Sequence, residues 1–174
     1  MRGSTVLALG AIVASVLACS SAQAPASIPT LAELSATSPP ETCTLELWED
    51  GDTPYVRCAD GEQTIVRMVG IDTAESAFDE NSRRRGEYQA ELWHLTLEQV
   101  FACGKAATRR ARELCPEGSE VQVAGSERGK YGRRLAIVVC HGVNLNLRLV
   151  EEGHAGRYPY PGKPEKPSGC PPVK

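Results

Sequence analysis

Residues 43–71 read Cys43-Thr-Leu-Glu-Leu-Trp48-Glu-Asp-Gly-Asp52-Thr-Pro-Tyr-Val-Arg57-Cys58-Ala-Asp-Gly-Glu-Gln-Thr64-Ile-Val-Arg67-Met-Val-Gly-Ile71. Cys43 to Trp48 alternates apolar with polar residues, as a half-buried strand does. Glu49-Asp50-Gly51-Asp52 has turn chemistry, because glycine frees the backbone and aspartate side chains bond to nearby main-chain groups. Tyr55 to Cys58 returns as a second strand. Ala59-Asp60-Gly61-Glu62 turns again, into a third strand over Thr64 to Ile71. The result is a three-stranded meander. Cys43 and Cys58 stand symmetrically about the first turn, where a cross-strand disulfide is geometrically reasonable.

Further along, Arg83 to Cys103 has helical composition, with Leu92, Trp93, Leu95, Val100 and Phe101 on one apolar face, and Gly104 is expected to break it. Lys105 to Leu114 reads as a second helix, closed by Pro116 and Gly118. Glu120–Ala124 and Leu135–Cys140 read as two more strands joined by a basic loop. Leu145 to Glu152 alternates like a strand, but its helix formers and the stop at Gly153 favour a short helix. Five strands with about three helices fit an α+β, mainly β fold. A five-stranded Greek-key barrel of the oligonucleotide/oligosaccharide-binding (OB) type meets that description, and the pattern alone also admits other α+β arrangements.

At the N-terminus, Val6 to Ala18 is an apolar run of 13 residues, shorter than the roughly 20 that span a bilayer. It has the length of a secretory signal core. The run ends Leu17-Ala18-Cys19-Ser20, which resembles a bacterial lipobox and implies lipidation of Cys19. Ordinary signal-peptidase cleavage, for instance after Ala22, is the alternative. The expected organisation is a signal peptide at 1–18, a lipidated Cys19 with a Ser/Ala/Pro-rich tether to residue 42, a domain at 43–160 and a Pro-rich tail at 161–174. The product is then exported from a bacterial cell, either anchored by lipid on the outer-membrane or periplasmic side or secreted. Seven cysteines become one anchor and six for the fold: up to three disulfides, with Cys103, Cys115, Cys140 and Cys170 left unassigned.

Net charge is −3, with 41 % hydrophobic and 5 % aromatic residues. That is enough apolar content for a core, and it argues against coating nucleic acid by bulk positive charge. The distribution is more informative. Residues 41–80 carry eleven acids and two arginines, whereas residues 105–134 carry eight bases and four acids. An acidic segment beside a basic one suits a metal paired with an anionic substrate; solvated faces are the plainer reading. Asp52 and Asp72 are hard oxygen ligands at strand ends, and Thr73 adds a backbone carbonyl, a set better suited to Ca²⁺ than to Zn²⁺. The three histidines, 94, 141 and 154, have no ligand spacing that would indicate zinc. Arg83-Arg84-Arg85 either attracts a nucleic-acid backbone or solvates a helix start.

Four strings in order, Asp50-Gly-Asp52-Thr53, Arg67-Met-Val-Gly-Ile-Asp72-Thr73-Ala74-Glu75, Lys130-Tyr131-Gly132-Arg133 and Val143-Asn-Leu-Asn146, resemble the staphylococcal nuclease (thermonuclease) family across about residues 43–160. Tyr158-Pro-Tyr160 resembles its nucleotide-stacking tyrosines. The resemblance implies an OB-fold, calcium-dependent, low-specificity nuclease that cleaves DNA and/or RNA to leave 3′-phosphates, acting as a monomer. It implies Ca²⁺ on Asp52, Asp72 and Thr73, catalysis by Arg67, Glu75 and Arg133, and nucleotide contacts from Lys130, Tyr131, Tyr158 and Tyr160. In physical terms, Arg67 and Arg133 supply forked donors to phosphate oxygens and Glu75 accepts a proton from, or orients, the attacking water. Stacking on a tyrosine contributes roughly 1–3 kcal/mol. Ala74 and Gly129 depart from the family's usual Pro and Asp, and the helix near 83–103 is longer than the corresponding loop in the family. The competing readings are a barrel that binds strands without cutting them and an envelope lipoprotein that uses calcium only for stability.

Overall fold

The computed structural model describes residues 28–29, 32–33, 38–77 and 79–170. The signal segment at 1–18 and Cys19 lie outside the described residues. The elements are β1 (Glu41–Trp48), β2 (Pro54–Arg57), β3 (Gln63–Met68), β4 (Ile71–Thr73), α1 (Glu80–Trp93), α2 (Leu97–Leu114), β5 (Glu120–Ala124), β6 (Arg134–Cys140), β7 (Val143–Asn144), α3 (Leu145–Glu151) and β8 (Ala155–Arg157). Antiparallel pairing runs β3-β2-β1-β5-β6, and β3 also pairs with β6 in parallel, Arg67 opposite Leu135. That last ladder closes a five-stranded OB barrel and leaves these strands without an open edge.

The barrel encloses Leu45, Trp48, Val56, Val66, Met68, Val121, Val123, Ala136 and Val138, and α3 caps it with Leu145 and Leu149. Strict alternation along β1 would bury Leu47. A bulge between Leu45 and Leu47 instead turns Leu47 outward (38 % exposed) and brings Trp48 in, where its indole N–H donates to the Cys115 carbonyl at 3.0 Å. An extra residue in one strand inverts the faces beyond it. The third expected strand ends at Met68. The Val69-Gly70 turn then starts β4, which pairs with β8, a strand too short to be seen in the sequence.

The helical segment divides differently from expectation. α1 ends at His94 in the left-handed conformation, and α2 starts from Thr96, whose side chain accepts from the Gln99 N–H while Gln99 bonds back to the Thr96 N–H. This capping box was legible as Thr96-Leu-Glu-Gln99. Gly104 lies within α2, where a Cβ would collide with the carbonyls of Ala74 and Glu75. It permits a close approach and does not break the helix. A second apolar cluster, Ala74, Trp93 and Val100, lies where α1 and α2 meet.

Disulfides join Cys43 to Cys58, Cys103 to Cys170 and Cys115 to Cys140. The Cys103–Cys170 bridge and the Trp93 Nε1–Pro164 carbonyl hydrogen bond (3.1 Å) fasten the Pro-rich tail against both helices. Among the described residues, no helix is long and apolar enough to cross a membrane.

Candidate active site

The β1–β2 turn and β4 bring Asp52 and Asp72 face to face. Each carboxylate pairs with one terminal nitrogen of Arg67, which rises from β3 between them. Arg67 also donates to the Ile71 carbonyl at 3.1 Å. Its guanidinium is therefore engaged with the acids and is mostly buried. Asp52 accepts from the Thr73 N–H at 2.7 Å and Thr53 Oγ1 at 3.2 Å, which ties the turn to β4. Register sets the other side: Asp72 lies opposite Gly156 and Thr73 opposite Ala155 in β8.

Asp52, Thr53, Arg67, Asp72 and Thr73 line one cavity of about 530 Å³ that is also lined by Asp50, Glu75, Asp79, Arg85, Tyr131, Arg133 and Tyr158. Of the residues singled out from sequence, Asp52, Asp72, Thr73, Arg67, Glu75, Arg133, Tyr131 and Tyr158 meet there. Lys130 and Tyr160 do not line it. Lys130 Nζ sits 5.5 Å from the Tyr131 ring centre, and Tyr160 is 80 % exposed, edge-on to Tyr158 at 6.0 Å. Gly129 and Gly132 fold the basic loop tightly, with Gly129 N–H donating to the Arg133 carbonyl and Gly132 N–H to that of Gly129, both at 2.9 Å. Arg133 has no ion-pair partner among the described residues; its guanidinium stands 6.0 Å from the Tyr131 ring centre.

Three residues that the sequence reading did not place in the site belong to it. Asp50, read as a turn former, accepts from the Asp52 N–H at 3.0 Å and lines the cavity. Arg85 reaches Asp72 at 2.8 Å and Glu75 at 3.8 Å, whereas Arg83 and Arg84 pair with Glu87 and Glu80 on the outer face of α1. Arg83 and Arg84 thus solvate the helix start, whereas Arg85 is spent on the acids of the site, a role that neither reading of the triplet named. Gln89, fully buried, donates to Asp72 Oδ2 at 3.0 Å and the Thr73 carbonyl at 2.9 Å and accepts from the Glu75 N–H at 2.9 Å. A polar residue on the face of Gly86 and Trp93 was its only sequence signal.

Electrostatically, the cavity holds more negative charge than its arginines balance. Burial, then the charge of Asp52, pushes Asp50 up to about 7; burial, then Asp50, Asp52 and Asp72, pushes Glu75 up to about 8. Burial also opposes the charge of Asp52, but Arg67 and the Thr73 N–H overcome it and hold that carboxyl below its ordinary value. Oxygen-only donors with surplus negative charge fit a hard divalent cation in character. Elsewhere, Glu41, Cys43 and Cys58 bring three ligand atoms within 4.8 Å of one another, but both sulfurs are spent in the disulfide.

A closed five-stranded barrel whose rim carries acids, arginines and tyrosines in one cleft defines an OB-fold protein with a charged, polar site at its mouth. The staphylococcal nuclease homologue family matches residues 65–168, more than half of the chain, and the chain belongs to that family. It is 32 % identical over 137 residues to the micrococcal nuclease of Shigella flexneri, covering 67 % of this chain and 64 % of that one. It is 30 % identical over 115 residues to an uncharacterised lipoprotein of Mycoplasma genitalium, covering 62 % of this chain and 41 % of that one. The chain therefore spans less than two thirds of the length of either relative.

Proposed function

We propose that this protein is a calcium-dependent nuclease of low sequence specificity that hydrolyses phosphodiester bonds of DNA and/or RNA and leaves 3′-phosphates. The observation that carries the reading is the shared cleft: Asp52, Asp72 and Glu75 line it together with Arg133, which has no acid partner among the described residues, and with Tyr131 and Tyr158. A phosphodiester there meets a cation and aromatic faces at once. Arg133 receives two equatorial phosphate oxygens through its forked donors. Tyr158 and Tyr160 stack on bases without reading sequence, while Lys130 and Tyr131 contact a terminal phosphate. Glu75 orients the attacking water or takes its proton. Arg67 takes part by holding Asp52 and Asp72 at a fixed spacing through one terminal nitrogen each. Asp52, Asp72 and the Thr73 carbonyl would hold Ca²⁺, whose chemistry there is neutralisation of phosphate charge and acidification of water.

Disulfides favour an oxidising compartment, and the likeness to a lipoprotein supports an exported protein; anchoring through Cys19 and action as a monomer belong to the same proposal. The test is digestion of denatured DNA by the full chain with calcium or with excess EGTA. Calcium-dependent cleavage is expected, abolished by EGTA and strongly lowered in Glu75→Ala with its circular dichroism unchanged. Cleavage indifferent to EGTA, or full activity in Glu75→Ala, overturns the proposal. Calcium-dependent strand binding without cleavage assigns the chain to non-catalytic binding modules instead.

A further inference from the structure

The helix α1 brings one fully buried uncharged polar side chain, that of Gln89, against the acid cluster. Gly86, Gln89 and Trp93 form its buried face. Gly86 lets it close on α2, since a Cβ there would lie 3.0 Å from Leu97 Cδ1 and 3.2 Å from Phe101 Cε1. The Asp79 cap at one end, accepting from the Asn81 and Ser82 N–H groups, and the Trp93–Pro164 hydrogen bond at the other hold the helix in place.

The orientation of the Gln89 amide follows from its partners. A main-chain N–H only donates, so Oε1 faces Glu75 N, and both hydrogens of Nε2 are left for Asp72 Oδ2 and the Thr73 carbonyl. Every polar bond of this side chain therefore ends on residues 72, 73 and 75. Asp72 is gripped at both oxygens: Arg67 bonds Oδ1, Gln89 bonds Oδ2, and Arg85 reaches both at 2.9 and 2.8 Å, which together fix the plane of its carboxylate.

We infer that Gln89 is a positioning residue that presents the Asp72 carboxylate and the Thr73 carbonyl to the divalent cation and sets the main chain from which Glu75 projects. The inference rests on the calcium reading above. A carboxylate and a carbonyl that are already oriented lose less freedom when they ligate a metal, and outer partners of this kind contribute 10–100-fold to affinity or activity. The plainer role, a buried glutamine that satisfies loop polar atoms, accounts for the Glu75 and Thr73 bonds. It does not account for the third bond, which goes to a charged side chain already paired with two arginines.

The experiment compares the unaltered full chain with Gln89→Met, which keeps the volume and removes the amide, and Gln89→Asn, which keeps the amide but is too short to span its partners. Calcium affinity is read by titration calorimetry, melting is read in EGTA, and kcat and KM are read on denatured DNA. Both variants should bind calcium about 10–100-fold more weakly. KM at saturating calcium should stay within about twofold, because Arg133 and the tyrosines are untouched. Where Gln89→Met fails to fold, Gln89→Asn decides. Lower melting in EGTA with calcium affinity unchanged within about twofold leaves only a structural glutamine and overturns the inference. Absence of both calcium binding and cleavage in the unaltered chain instead overturns the calcium reading on which it rests.

Discussion

Arg133 and Arg67 show how two arginines from one motif set acquire different surroundings. Arg67 is enclosed by Asp52 and Asp72, and those carboxylates keep it charged despite its burial. Arg133 stands in the open cleft beside Tyr131 with no acid partner among the described residues. Replacing Arg133 by alanine is expected to lower kcat about 10²–10³-fold, the usual cost of losing one donor to developing charge, without moving the melting temperature. Lysine at 133 should restore only part, because an ammonium cannot bridge two oxygens. Single-turnover rates beside thermal melts check this; a large stability loss in Arg133→Ala would contradict the position described. At this scale Asp52, Asp72, Glu75, Arg67 and Arg133 were legible because they recur in strings of recognisable order, whereas Arg85 lies outside those strings. Asp50 was not distinguished, because an aspartate beside a glycine is equally good turn chemistry. Gln89 was not, because a glutamine in a helix carries no signal until its neighbours are known.

Among elements, the contact between α2 and the Ala74–Glu75 segment places the catalytic candidate Glu75. Gly104 is the hinge of that contact. Helix propensity favours Gly104→Ala by about 1 kcal/mol, but the added methyl would meet the Glu75 carbonyl, and overpacking of this kind costs about 1–3 kcal/mol. Net destabilisation by urea unfolding is the expected outcome, with a lower cleavage rate because Glu75 must shift. A stabilised variant would show that the segment yields freely. The break between α1 and α2 could have been placed from the Thr96–Gln99 capping box; a glycine inside a helical run drew the boundary instead. The pairing of β4 with β8, which aligns Asp72 and Thr73, had no sequence signal because three residues are too few to show alternation.

Across the whole molecule, the three disulfides close loops of unequal size: 15, 25 and 67 residues apart in sequence. Chain-closure entropy assigns about 3 kcal/mol to the smallest and about 4 kcal/mol to the largest. The Cys103→Ser/Cys170→Ser pair should therefore lower the urea midpoint more than Cys43→Ser/Cys58→Ser, and it should also release the tail from Trp93. Intrinsic tryptophan fluorescence during unfolding reports both, and the reverse order of midpoints would contradict the closure argument.

Local pattern was enough for the meander, the short helix after residue 144, the segregation of acid from base and the Cys43–Cys58 pair. Each of these depends on residues near one another in sequence, where strand alternation, turn chemistry and capping act directly. Long-range packing settled the rest. The barrel closes because β3 meets β6 in parallel. A bulge decides whether Leu47 or Trp48 faces inward. Arg67 turns to two carboxylates, one from the β1–β2 turn and one from β4, and a glutamine of α1 fastens the second of them. Such choices are made by the burial of charge and the demand that every buried polar group find a partner, and such partners lie far apart in sequence: 21 residues for Asp52 and Thr73 and 71 for Trp93 and Pro164.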